Sequence, residues 1–231
     1  WLIVNAKNGI SSYEIHRALG VTQKTGWFML QRIRLGLQTG SFLKMEGQVE
    51  ADETFIGGKA RNMHKGKRKA KGTVHASMTP VMGLLERTTA KRASRVMVKV
   101  ADTTRKPELQ GNVRKHVQKG SEVHTDMLQS YEGLSDEYTH QVIDHAQSYV
   151  QGHVHTNGME NFWSLLKRAI KGTYISVEPF HLHRYVTEQV FRFNERKDND
   201  QVRFLKAIAG VIGKRLTYRT LTSDALLRPA A

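Results

Sequence analysis

The order of β-type and helical stretches constrains this chain more than any other feature. Val49 to Ile56 is rich in strand formers and ends at Gly57-Gly58, and Val81 to Leu85 is a second such run. Ser94 to Val100 is a third, with Val96, Val98 and Val100 alternating as a half-buried strand requires. Pro107 to Val117 has helical spacing, Glu122 to Thr125 is a short fourth strand that stops at Asp126, and Gln141 to Ile143 is a fifth. The remainder is mainly helical. Asn157 to Lys171 is halted by Gly172, Glu178 to Arg196 is opened by Glu178-Pro179, and Gln201 to Ile212 follows.

Three strands, a helix, two more strands and then helices is the order of an α/β fold of the RNase H-like kind. Its first three strands form an antiparallel meander, later strands join in parallel, and helices flank the mixed sheet. Ahead of it, Ser11 or Ser12 caps a helix carrying Tyr13, Ile15, His16, Ala18 and Leu19. After Gly20-Val21, Thr22 caps a second helix with Trp27, Phe28, Leu30, Ile33 and Leu37 on its apolar side. This pair resembles a helix-turn-helix, with Gln23, Lys24, Gln31, Arg32 and Arg34 available to phosphates or base edges, and a hairpin that only packs is the alternative. The expected division is a helix-turn-helix-like DNA-binding unit with its linker over 1–46, a catalytic domain over 47–213 and a weakly patterned tail over 214–231.

Charge narrows the partner. Thirty-six basic residues face 21 acidic ones, a net charge of +15 that repels itself in a compact state unless a polyanion binds. Nucleic acid is the expected partner, a ribosomal or merely soluble basic protein the bland alternative. No apolar run approaches the roughly 20 residues of a membrane span, so a soluble protein is expected. There is no cysteine, so disulfides are excluded and a zinc site would need His and carboxylates alone. Trp1 to Ile10 lacks the pattern of a secretory signal, and a chain that opens on Trp rather than Met is expected to be a fragment.

Three acids stand where this fold can gather them. Asp52 lies mid-strand in Val49-Glu50-Ala51-Asp52-Glu53-Thr54, Asp126 ends the fourth strand, and Glu160 lies in the first turns of the helix from Asn157. Each alone has a structural explanation: a bulge, a turn, or an anion at a helix N-terminus. Together they suit phosphodiester chemistry between two Mg2+ ions, which take hard oxygen ligands and flank an in-line displacement. Lys167 follows Glu160 by seven residues, two helical turns, and shares its face.

Val49-Glu50-Ala51-Asp52-Glu53-Thr54, His124-Thr125-Asp126 and the run from His155 through Asn157, Glu160 and Trp163 to Lys167-Arg168 together resemble the bacterial insertion-sequence transposases of the ISXO type. Gly172-Thr173-Tyr174, His181 to Tyr185 and Phe191 to Asn194 extend the likeness, which runs from about Ile10 to Asn194. The resemblance implies an RNase H-like DDE domain that nicks transposon ends and joins the 3′-OH to target DNA with Mg2+ or Mn2+. Asp52 and Asp126 match the first two acids, and Glu160 with Lys167 the third acid and its basic partner. Some members are described with Asn in third place, which keeps Asn157 beside Glu160 as a candidate. A homodimer or larger assembly on DNA and a cytoplasmic, nucleoid-associated location follow from the same resemblance. The family often carries a zinc ribbon ahead of its helix-turn-helix; with no Cys, that module is expected upstream of Trp1 or not at all.

Two basic stretches remain. Lys65, Lys67, Arg68, Lys69 and Lys71 lie in a run after the Asp52 strand and read as a loop that meets DNA phosphates, and Arg168 beside Lys167 reads likewise. Arg184, Arg192, Arg196 and Lys197 fall on or just past the helix from Glu178, where ion pairs with Glu188 and Glu195 are an equal alternative. His153 with His155 and His181 with His183 are candidates for positioning DNA or water. Besides strand transfer, a structure-selective nuclease on the same fold and a non-catalytic DNA-binding descendant of a transposase remain open.

Overall fold

A computed structural model describes residues 1–38, 43–58, 78–90, 92–126, 128–143 and 155–223. In chain order the regular elements are α1 (Leu2–Asn5), α2 (Ser12–Leu19), α3 (Gln23–Gly36), β1 (Gln48–Ile56), β2 (Thr79–Glu86), β3 (Arg95–Val100), α4 (Lys106–His116), β4 (Glu122–Asp126), β5 (Thr139–Ile143), α5 (Asn157–Ala169), α6 (Leu182–Asn194), α7 (Asp200–Val211) and α8 (Tyr218–Thr222). The described residues fall into two compact units, one within Trp1–Gly40 and Leu165–Ala231, the other within Ser41–Ser164.

The second unit holds a five-stranded mixed sheet in the order β3-β2-β1-β4-β5. The first three strands form the expected antiparallel meander, and β4 and β5 join in parallel. This is the RNase H-like arrangement. Alternation along the strands assigns their faces. Val49 and Ala51 of β1, Met82 and Leu84 of β2 and Val123 of β4 join Leu109 and Val113 of α4, with Tyr131, Leu134 and Tyr138, in one buried cluster. Glu50, Asp52, Gly83 and Leu85 point to the other face, where α5 lies.

Helix α5 earns its place by an apolar stripe. Met159, Phe162, Trp163 and Leu166 recur at i, i+3, i+4 and i+7 and are all buried. Full burial of such side chains stabilises by about 1.5–3 kcal/mol each. The helix ends at Ala169, two residues before the expected stop, and closes in a π-turn over Ile170–Tyr174.

The other unit is helical. Ser11 and Glu14 form a capping box at α2, Thr22 caps α3, and Gly20 supplies the left-handed turn between them at φ 65°. Ile3, Val4, Ile10, Ile15, Leu30, Leu37, Phe191 and Ala207 form its apolar cluster. Glu188 sits inside the unit, fully buried, between Arg34 and Arg192. The long helix expected from Glu178 is broken at its start by a single 3-10 turn, Pro179–His181. In the C-terminal tail, α8 is a short helix capped by Thr217 and held by buried Leu221. Among the described residues no helix is long and apolar enough to cross a membrane.

Candidate active site

Strand register builds the site. β1 and β4 pair in parallel from Gln48↔Glu122 to Glu50↔His124 and then separate. The same offset, carried two residues further, sets Asp52 opposite Asp126. Both carboxylates thus stand where the ladder opens, on the α5 face. Asp126 remains anchored because β4 continues to pair with β5, Asp126 opposite Ile143, and one of its oxygens accepts from the Leu128 N–H at 3.1 Å.

Asp52 is fixed through both oxygens. Oδ1 accepts from the Glu53 backbone N–H at 2.8 Å, and Oδ2 accepts from the Trp163 indole N–H at 2.9 Å. Trp163 is a buried core residue whose polar edge also reaches into the site. Gly83, paired with Asp52 across β1 and β2, makes room for it: a Cβ there would stand 2.8 Å from two ring carbons of Trp163.

Glu50, two residues earlier on the same face, docks the start of α5. Its buried carboxylate accepts from the Met159 N–H at 2.9 Å and from Arg87 Nε at 2.8 Å. An anion here satisfies an orphan donor of the helix N-terminus and suits its dipole. Gly158 permits the approach, since a Cβ there would lie 2.8 Å from Glu50 Oε2. His155 belongs to this network through Arg87, which donates to its carbonyl at 2.6 Å.

Glu53 is the residue the sequence reading missed. Its neighbour Asp52 points to the α5 face, so alternation sends Glu53 to the α4 face, where the Tyr131 hydroxyl donates to it. Yet β1 has already parted from β4 at this level, and on that side no paired backbone separates the faces. Carboxylate oxygens of Asp52, Glu53 and Asp126 consequently lie within 4.8 Å of one another. The adjacent Asp-Glu pair two residues beyond the parallel ladder was the available signal.

Crowding of like charge marks the cluster. Burial raises Asp52 to about 6; the Trp163 and Glu53 N–H groups oppose this, and the negative charges of Asp126 and Glu160 add to it. Burial, then Asp126 and Asp52, push Glu53 up to about 9. Three hard oxygen donors this close together could hold a divalent cation.

Glu160 is exposed in the first turn of α5, near enough to Asp52 to act on its charge. Asn157 opens the same helix and is exposed. Lys167, half-buried, and Arg168, exposed, lie in its last turn. Of the α3 residues, Lys24 and Arg32 are exposed, over the rings of Tyr218 and Phe28. Gln23 is half-buried and donates to Ser12 Oγ at 2.8 Å.

Arg34 requires a correction. It is 1% exposed, its Nε donates to Glu188 at 2.6 Å, and its guanidinium stacks 3.9 Å from the Tyr185 ring centre. It holds the unit together and offers nothing to DNA. Lys65, Lys67, Arg68, Lys69 and Lys71 lie outside the described residues, as does His153. His181 is buried against Trp27, and burial followed by the nearby Arg184 lowers it to about 4, as a core histidine.

An RNase H-like sheet with carboxylates gathered where two parallel strands part defines the class of fold and site. Within that class, the chain belongs to the ISXO2-like transposase domain family, whose profile matches residues 44–194. Comparison with curated proteins gives no match. Transposases of the DDE kind are DNA-processing enzymes that use divalent metals, and Asp52, Glu53 and Asp126 form an acidic cluster that could hold one.

Proposed function

We propose that this chain is the catalytic part of a DNA transposase that cleaves transposon ends and joins the freed 3′-OH to target DNA. The observation that carries the reading is the register that sets Asp52 opposite Asp126 where β1 and β4 part, with α5 docked alongside. Asp52 and Asp126 are ligands for Mg2+ or Mn2+. Glu160 is the third ligand, and Asn157, one turn before it, is its competitor for that place. A pair of such ions supplies Lewis-acid activation of the attacking oxygen and stabilisation of the leaving one.

The protein's own part is orientation. Trp163 and the Glu53 N–H fix the Asp52 carboxylate, leaving lone pairs on each oxygen for a cation. Glu50 holds the N-terminus of α5, and so the Glu160 turn, against β1. Lys167 and Arg168, further along α5, contact DNA phosphate. Lys24 and Arg32 contact duplex DNA from the N-terminal helices, and the basic run containing Lys65 to Lys71 adds phosphate contacts. The functional division is a DNA-binding unit over 1–46, a catalytic domain over 47–213 and a tail. The assembled form on paired ends is a homodimer or larger, in the cytoplasm with the nucleoid.

Pre-nicked transposon-end duplexes, a target plasmid and Mg2+ or Mn2+ test the reading. Joined product is expected from the native chain and none from Asp52→Asn, Asp126→Asn or Glu160→Gln, with DNA binding retained. Joining by Glu160→Gln together with failure of Asn157→Ala assigns the third place to Asn157. Cleavage without joining identifies a nuclease instead.

A further inference from the structure

Arg184, in the first turn of α6, is a buried cation without a counter-ion among the described residues. It is 3% exposed, and its Nε and Nη1 have no hydrogen-bond partner there. Three arginines of the helical unit are buried, Arg34, Arg184 and Arg192, and one described carboxylate, Glu188, is buried with them. Glu188 pairs with Arg34 and Arg192 and also accepts from the Tyr174 hydroxyl, which leaves nothing for Arg184.

The place of Arg184 in the helix adds to the cost. The positive end of a helix dipole disfavours a cation, and α6 has neither an acid in its first turn nor a side-chain cap at His181. Side chains on a helix lean toward its N-terminus, and the charge of Arg184 is felt at that end. After burial it is the largest influence that lowers His181 to about 4, and burial followed by Arg184 lowers His183 as well. Burial, then the charge of Arg34, lowers Arg184 itself, and no described carboxylate offsets them. The 3-10 turn ahead of α6 already occupies the backbone N–H groups of His181 and Leu182, so the free donors at this end are those of the guanidinium. The end is open to a ligand: Phe180, against the His181 ring, is 37% exposed, and Trp27 and His183 are half-buried.

We propose that the N-terminal end of α6 is an oxyanion site that takes a phosphate group through Arg184, supplied by the DNA backbone or by the free ion. One anion relieves all three penalties at once: the unpaired charge, the empty donors and the dipole of the wrong sign. Guanidinium N–H groups bind phosphate oxygens in charge-assisted pairs, and a helix N-terminus favours the same ligand. The site uses no residue of the acidic cluster and no step of the cleavage chemistry.

Urea unfolding in EDTA, with chloride replaced by inorganic phosphate at constant ionic strength, reads the free ion. Phosphate at a hundredfold excess over Kd is expected to raise the folded-to-unfolded ratio of the native chain about 100-fold. Arg184→Met keeps the bulk and removes the charge, and is expected to gain from phosphate only the salt effect that any protein shows. Anisotropy of a labelled duplex across a salt series, also in EDTA, reads the DNA. There Arg184→Met is expected to flatten the slope of log K against log salt by about 0.9, or about eightfold in affinity at about 0.1 M relative to 1 M, while Arg184→Lys keeps it. Should Arg184→Met not fold, Arg184→Gln serves in both assays with the same expectations. A flattened slope assigns the phosphate to the DNA backbone. An unchanged slope with a phosphate gain that only the native chain shows assigns it to the free ion. An unchanged slope together with equal phosphate gains in native chain and variant overturns the proposal. Neither assay involves cleavage, so a native chain that joins no ends with Mn2+ would sink the transposase reading and leave this inference standing.

Discussion

Gly83→Ala perturbs the active site without touching an acid. A Cβ at residue 83 would stand 2.8 Å from Cη2 and Cζ2 of Trp163, with the Met159 methyl also in its way. Carbon atoms rest at about 3.5 Å or more, so α5 must retreat by roughly 0.7 Å. The Trp163-to-Asp52 bond starts at 2.9 Å; the same retreat along it would reach roughly 3.6 Å, beyond a hydrogen bond. Overpacking costs about 1–3 kcal/mol, and a lost bond to a carboxylate about 1.5–3 kcal/mol. The two are coupled and do not add fully, so a loss of about 2–4 kcal/mol is expected. Elsewhere in a protein Gly→Ala at a permitted conformation stabilises by about 0.4–1 kcal/mol, so even the sign is informative. Urea unfolding should show a lower midpoint at unchanged m-value, and strand transfer should fall further than folded fraction accounts for. Adding Met159→Ala, which vacates the crowded space, should recover part of the activity. A Gly83→Ala protein as stable and active as the native chain would refute the packing argument.

Three further outcomes follow from the geometry. Asp52 and Glu53 have folded-state values of about 6 and about 9, above those of the unfolded chain. The folded state therefore holds protons that the unfolded state has released, and their contribution is lost as pH rises from about 4 through those values. In EDTA the thermal midpoint should fall between about pH 5 and 9, and saturating Mn2+ should offset the fall, by about 2.7 kcal/mol at a hundredfold excess over Kd; a midpoint indifferent to Mn2+ at pH 8 excludes the cation site. Glu188→Leu leaves Arg34 and Arg192 buried without their anion and should cost about 3–5 kcal/mol in urea unfolding, whereas a solvated surface pair would cost under about 1. Ile175 is 80% exposed and holds φ 64°, ψ −58° in a γ-turn closed by the Ser176 N–H on the Tyr174 carbonyl, so Ile175→Gly should raise stability by about 1 kcal/mol, and a loss would mean the turn is not strained.

What the sequence disclosed, and what it hid, divides along one physical line. Alternation and helical spacing are local, so the meander, the parallel strand ending at Asp126 and the helix from Asn157 were all legible. The caps at Ser11 and Thr22 were legible for the same reason. Arg34 was not, because its partner lies 154 residues away; a cation on an amphipathic helix reads as solvent-facing until another element supplies a carboxylate to bury it. Glu53 was hidden by the rule that exposed Asp52. Alternation separates neighbours on a strand only while the strand is flanked by paired backbone, and β1 leaves β4 at Glu50. Beyond that point the two faces meet at an open edge, and Asp52 and Glu53 approach the same carboxylate of Asp126 from opposite sides. At that edge a cation can reach acids from both faces. The register that made the site predictable thus ends two residues before the site, and the end of the register is what makes it a site.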